Sequence, residues 1–138
     1  MRARLPMTVI VPVALAAVAL VAAGCGDSDK PAYCSNVSAL QSSVDTLKNV
    51  QLESGALSTL QTDVQAVKSN ADAVVSSAKA DFPSETSALQ SSVSSLSTAI
   101  QKVPSPPTAQ ELAVLVPKIN STVTASQDLQ SATSSACD

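Results

Sequence analysis

The sequence predicts an all-α protein: an antiparallel up-down four-helix bundle after an N-terminal signal helix. Apolar residues recur at spacings of three and four in four successive stretches, the near-heptad pattern of amphipathic helices. No stretch of comparable length alternates apolar and polar residues as a half-buried strand does. We therefore expect a signal segment at residues 1–24, a polar tether at 25–31 and the bundle at 32–138.

The first two helices are predicted at residues 32–52 and 57–81. The apolar stripe of the first is Val37, Leu40, Val44 and Leu47, and that of the second is Leu57, Leu60, Val64, Val67, Ala71, Val74 and Ala78. The second stripe is one residue out of phase with a heptad extension of the first. One continuous helix would therefore turn its apolar face away by about 100°. A turn near Glu53-Ser54-Gly55 resolves this mismatch.

The last two helices are predicted at residues 84–102 and 108–136. Phe82-Pro83 separates the third helix from the second, because proline disfavours helix at the preceding residue. A proline-rich loop at 104–107 ends the third helix, and Thr108 with Glu111 forms a capping-box pattern that begins the fourth. Pro117 lies inside the fourth helix and either kinks it or divides it. The two stripes are Leu89, Val93, Leu96, Ile100 and Val103, then Leu112, Val116, Ile119, Val123 and Leu129.

A seven-residue segment is repeated within the chain. Ser38–Val44 recurs as Ser87–Val93, at a spacing of 49 residues that is about the length of one helical hairpin. A duplicated hairpin explains this, and so does low complexity, since 23 Ser and 9 Thr make up over a quarter of residues 25–138. Both explanations stay open. The apolar stripes fit either a core formed by the helices of this one chain or a coiled-coil seam with a partner chain.

Composition argues against several classes of function. The chain has no His, so it lacks the commonest general base and metal ligand, and we expect no catalytic residues, metal or cofactor. Its formal charge of −3 argues against a nucleic-acid partner, which would require a basic face. Ser76-Ser77-Ala78-Lys79 matches the S-x-x-K motif of penicillin-binding enzymes, but the K-T-G element is absent. Asp27-Ser28-Asp29 begins like a calcium loop but lacks the glycine and distal glutamate that calcium loops contain.

The N-terminus has the layout of an export signal. Basic Met1–Arg4 precedes an apolar run, Met7–Ala23, which would reach only about 25 Å as a helix and which Pro12 interrupts. The run ends in Ala22-Ala23-Gly24-Cys25, which resembles the bacterial lipobox, although its first position usually holds Leu or Val. In that family the cysteine sulfur carries a diacylglyceryl group and the signal is cut just before the cysteine. Cleavage after Ala23 and an uncleaved anchor are the alternatives.

The chain as a whole resembles the small Ala/Ser/Val-rich predicted lipoproteins of actinobacteria, through this lipobox and its composition. The resemblance implies a lipid anchor at Cys25 on the extracytoplasmic face of the cell membrane and transfers no activity. We expect a non-enzymatic structural or protein-interaction bundle whose partner class is an envelope protein, with the oligomeric state open. The alternative is a carrier that binds a small apolar ligand between its helices.

The remaining cysteines, Cys34 and Cys137, are predicted to form a disulfide. Lipidation of Cys25 leaves this one pair in an oxidising compartment. Cys34 opens the first helix and Cys137 ends the last, and an even number of up-down helices returns the chain to its starting end. Four helices can therefore bring the two Cα atoms within the roughly 7 Å that a disulfide requires.

Overall fold

The structure, a computed structural model, describes residues 30–53 and 55–138. This part of the chain is all-helical and contains no strand. Its five helices are α1 (Tyr33–Lys48), α2 (Leu57–Ala78), α3 (Pro83–Gln101), α4 (Ala109–Ala113) and α5 (Leu115–Cys137). The four long helices pack together: α1 and α3 each contact both α2 and α5. The predicted all-α class and bundle are confirmed, whereas the predicted signal at 1–24 and most of the tether lie outside the described residues.

The first three helices form around the predicted stripes. Every predicted core residue of α1 and α2 is buried, as are four of the five in α3, where Val103 is only partly buried. α1 ends at Lys48 and α2 at Ala78, a turn earlier than predicted. α3 begins at Pro83, where the missing N–H would have no helical partner, and Phe82 before it is non-helical with φ −131°.

The predicted fourth helix is interrupted at Val114. Thr108 and Glu111 form the predicted capping box, in which the Glu111 amide donates to the Thr108 hydroxyl at 3.2 Å. Val114 then separates two helical segments, although its N–H still donates to the Gln110 carbonyl at 3.2 Å and its φ of −65° and ψ of −23° remain α-helical. Pro117 explains the position of this break, because its ring has no N–H for the Ala113 carbonyl and crowds that oxygen. The interruption therefore lies one turn before the proline and separates α4 from α5.

The predicted fourth stripe is confirmed at Leu112, Ile119 and Leu129 and wrong at two other positions. Val116 and Val123 were expected in the core, but Val116 is 42% exposed and Val123 is only partly buried. Leu115, 1% exposed, and Thr122, fully buried, occupy those core positions instead. The positions that face the core are spaced by three and four as a heptad requires: Leu112, Leu115, Ile119, Thr122, Ser126, Leu129 and Thr133.

The two threonines in this stripe are compatible with burial because their hydroxyls find partners within the helix. Thr122 donates to the Lys118 carbonyl at 3.1 Å, and Thr133 donates to the Gln130 carbonyl at 3.2 Å. In α3 the buried Thr86 likewise donates to the Phe82 carbonyl at 2.7 Å. Within the described residues, no buried side-chain nitrogen or oxygen lacks a hydrogen-bond partner, so these residues carry no large desolvation cost.

Adjacent alanine substitutions test the corrected phase. We expect Leu115→Ala to reduce the free energy of unfolding by about 2–5 kcal/mol, because it leaves a cavity in the core. Val116→Ala should change the unfolding free energy by less than about 0.5 kcal/mol, because Val116 lies at the surface. Urea unfolding followed by circular dichroism measures both. A larger loss for Val116→Ala than for Leu115→Ala would contradict the observed phase.

Candidate functional site

The two predicted disulfide cysteines meet at one end of the bundle. Cys34 lies in the first turn of α1 and Cys137 is the last residue of α5. Their Cα atoms are 5.5 Å apart across a sequence separation of 103 residues, and the two sulfur atoms are at bonding distance. The predicted approach of the two cysteines is confirmed. Oxidation of the pair in the cell remains a prediction.

An aromatic pair packs at the same end. Tyr33 and Phe82 are the only aromatic residues of the chain, and their ring centroids lie 5.6 Å apart with the planes at 86°. This edge-to-face arrangement is favourable for two aromatic rings. Tyr33 begins α1 and Phe82 precedes α3, so the pair joins the starts of two helices beside the cysteines. The predicted lipidation residue, Cys25, lies outside the described residues, nine positions before Cys34.

Asparagine side chains join the surfaces of α1 and α2. The Asn36 amide donates to the Ser77 hydroxyl at 3.0 Å, and the Asn70 amide donates to the Ala39 carbonyl at 3.3 Å. Between α1 and α5, the Gln130 amide donates to the Gln41 side-chain oxygen at 3.1 Å. Sequence reasoning missed these contacts, because helical periodicity identifies which residues face a neighbour but not which residues lie opposite each other.

Two solvent-open grooves of opposite charge lie at the other end of the bundle. The first, here called the acidic groove, has a volume of about 720 Å³ and contains two carboxylates and no lysine. The second, the basic groove, has a volume of about 430 Å³ and contains two lysines and no carboxylate. The acidic groove is lined by Thr46, Asn49, Val50, Gln51, Glu53, Gly55, Ala56, Thr59 and Asp63. The basic groove is lined by Ser94, Ser95, Thr98, Ala99, Lys102, Val114 and Lys118.

The S-x-x-K segment lies on an exposed surface at the end of α2. Ser76 and Lys79 are exposed, and Ala78 between them is fully buried in the core. The neighbouring Ser77 hydroxyl donates to the Ala73 carbonyl at 2.8 Å and accepts from Asn36. Ser77 therefore acts as a structural link between helices. In residues 30–53 and 55–138, no group of three or more His, Cys, Asp or Glu side chains is placed to hold a metal ion.

No known protein family, curated protein or solved structure matches this chain. The function must therefore be inferred from the described residues themselves. Among those residues, none of the helices is both long enough and apolar enough to cross a bilayer.

The disulfide should supply much of the stability of the bundle. A crosslink that closes a loop of this length contributes roughly 4–5 kcal/mol in the chain-entropy model. We expect Cys34→Ser/Cys137→Ser to lower the free energy of unfolding by about that amount, as measured by urea unfolding. Wild type reduced with dithiothreitol should unfold like the double variant. Free thiols at both positions in protein isolated from cells, detected by non-reducing peptide mapping, would contradict the bridge.

Proposed function

We propose that this protein is a lipid-anchored helical bundle on the extracytoplasmic face of the cell membrane, where it has a structural or protein-interaction role and no enzymatic activity. The observation that carries the proposal is the approach of Cys34 and Cys137, whose Cα atoms are 5.5 Å apart. The pairing suits an oxidising compartment and leaves Cys25 as the one cysteine for lipidation.

The contacts between helices support an antiparallel up-down arrangement. In the pair α1 and α2, residue 36 contacts residue 77 and residue 39 contacts residue 70, so residue numbers fall in one helix as they rise in the other. In the pair α1 and α5, residue 34 meets residue 137 and residue 41 meets residue 130. Four helices in this arrangement return the chain to its starting end, which brings the two cysteines together.

A lipid anchor at Cys25 would hold the bundle close to the membrane. Cys34 lies nine positions after Cys25, and nine steps along the chain span at most about 32 Å when fully extended. Without residues 1–24, six lysines face 11 acidic residues, so the formal charge is −5. A surface of that charge is repelled by anionic lipid, so the acyl chains must supply the attraction to the bilayer.

The filled core and the open surface grooves favour an interaction role over a carrier role. Leu40, Leu60, Leu89 and Leu129, one from each long helix, are at most 1% exposed. A carrier would instead need space among these side chains for its apolar ligand. The grooves at the surface are open to solvent, so neither of them encloses an apolar ligand. A protein partner is therefore the better match to the described surface.

Mass spectrometry of the membrane fraction tests the anchor. We expect the mature protein to begin at Cys25 and to carry a diacylglyceryl adduct there. Cys25→Ser should abolish the adduct and move the protein out of the membrane fraction. The matched control, Cys34→Ser/Cys137→Ser, removes the other cysteines and should remain in the membrane fraction. An unmodified wild-type protein that begins elsewhere would contradict the anchor.

Crosslinking in intact cells distinguishes the interaction role from the carrier role. We expect a lysine-reactive crosslinker to join the protein covalently to other protein chains of the envelope, detected after purification by mass spectrometry. The same purified sample, extracted and analysed for lipids, should yield no apolar molecule in a fixed molar ratio. Recovery of one such molecule at about one per chain, with no protein crosslink, would instead support the carrier.

A further inference from the structure

The two helical hairpins of the bundle contain equivalent positions. The sequence repeat aligns α1 with α3 at an offset of 49 residues, pairing Leu40 with Leu89 and Val44 with Val93. An offset of 55 residues aligns α2 with α4 and α5, and each of the seven buried residues of α2 then maps onto a buried residue. Tyr33 and Phe82, which pack against each other, are also equivalent under the first offset.

The equivalence extends to side-chain size. Val67 of α2 corresponds to Thr122 of α5, and Ala71 corresponds to Ser126. A threonine has nearly the volume of a valine, and a serine is only slightly larger than an alanine. Thr122 and Ser126 therefore fill spaces similar to those that Val67 and Ala71 fill in the first hairpin. The second hairpin is thus a close structural counterpart of the first.

The same two offsets superpose the two grooves. Six of the seven residues that line the basic groove map onto residues that line the acidic groove. Lys102 corresponds to Glu53, and Lys118 corresponds to Asp63. Equivalent places on the two hairpins thus carry opposite charges. Because α1–α2 and α3–α5 form opposite pairs in the bundle, the two grooves lie on opposite flanks of the molecule.

The first hairpin also serves as an internal comparison for the exposed valines. Val114 is 62% exposed and Val116 is 42% exposed, the two large apolar residues most open to solvent in the described chain. Their counterparts in α2 are Thr59 and Gln61. The fold therefore accepts polar residues at these positions. The exposed valines are consequently not explained by packing within one molecule.

We propose that the basic groove of one copy of this chain docks against the acidic groove of a second copy. Lys102 and Lys118 would then lie opposite the carboxylates of Glu53 and Asp63. The protruding Val114 would enter the larger acidic groove, where Val50 and Ala56 offer apolar contact. Gly55 leaves room there, since nothing lies within 4 Å of the position that a Cβ atom would take.

Because this contact joins different surfaces of the two copies, one groove stays free at each end of the pair. Further copies can therefore bind at both ends of the pair. The cysteine pair lies at the opposite end of the bundle from both grooves. Copies that dock with their helix axes parallel therefore keep their tethers on one side. With the lipid anchor proposed at Cys25, these copies form a lateral row on the membrane. The row is the only part of this inference that requires the proposed anchor.

Carbodiimide crosslinking of an isotope mixture tests the contact. Protein as processed by the producing cells is purified in unlabelled and ¹⁵N-labelled form, mixed, and treated to couple amines with adjacent carboxylates. Peptides that contain one labelled and one unlabelled partner identify links between chains. We expect such links between Lys102 or Lys118 and Glu53 or Asp63, reduced at least tenfold in 0.5 M NaCl because salt screens exposed charges. Links confined to single chains, or between chains at other residues, would overturn the proposal.

Charge reversal supplies the matched variants for analytical ultracentrifugation. Lys102→Glu/Lys118→Glu and Glu53→Lys/Asp63→Lys should each associate at least tenfold more weakly than wild type. An equimolar mixture of the two should recover association, a result that misfolding of either variant could not produce. The control Lys30→Glu/Lys79→Glu makes the same change in net charge at exposed residues outside both grooves and should associate like wild type.

A second substitution tests Val114, the valine that lines the basic groove, without disturbing the charges. Val114→Thr introduces the residue that the first hairpin carries at the equivalent position, so the fold should tolerate it. We expect this variant to associate roughly tenfold more weakly. Monomeric wild type at all concentrations, or no recovery on mixing the reversed variants, would disprove docking between grooves. Neither result bears on the lipid at Cys25, because this association is measured in solution and needs no anchor.

Discussion

The approach of Cys34 and Cys137 constrains the whole arrangement of the bundle. A bond between the first turn of α1 and the last turn of α5 can form only if the chain returns to the end from which it starts. Four long helices satisfy this condition, and α1 consequently packs against both α2 and α5. The bond between the two cysteines also matters for the free energy of unfolding. A core of mostly Ala, Val and Leu buries a modest apolar area per residue, and a small domain is only marginally stable.

Most of the fold could be predicted from residue spacing, and the failures have specific causes. The stripes of α1 and α2 contain only apolar residues at core positions, so spacing alone gives their phase. In α5 the core positions include Thr122, which a pattern of apolar residues cannot identify. The neighbouring apolar residue, Val123, was therefore wrongly predicted to lie in the core. Whether Pro117 kinks or divides the fourth helix was left open, and the position of the break at Val114 was not predicted, because proline acts on the carbonyl four residues before it.

The candidate surfaces were less accessible to sequence reasoning than the core. Cysteine number and helix parity were enough to predict which two cysteines approach each other. The grooves were not foreseen, because Lys102 follows α3 whereas Lys118 lies in α5, and only the packing of α3 against α5 brings them to one groove. The sequence repeat was visible, but its use as a comparison between Val114 and Thr59 required the exposed fraction of each side chain, which the structure supplies.

The position of the disulfide also determines how the bundle would respond to mechanical load. A force applied through an N-terminal tether would enter at α1, the shortest of the four long helices, and would peel it from its neighbours one turn at a time. A bond between Cys34 and Cys137 divides that force between α1 and α5. Both helices must then separate from their partners together, so more side-chain contacts break at each step. The link thereby shares between two helices a load that would otherwise act on one.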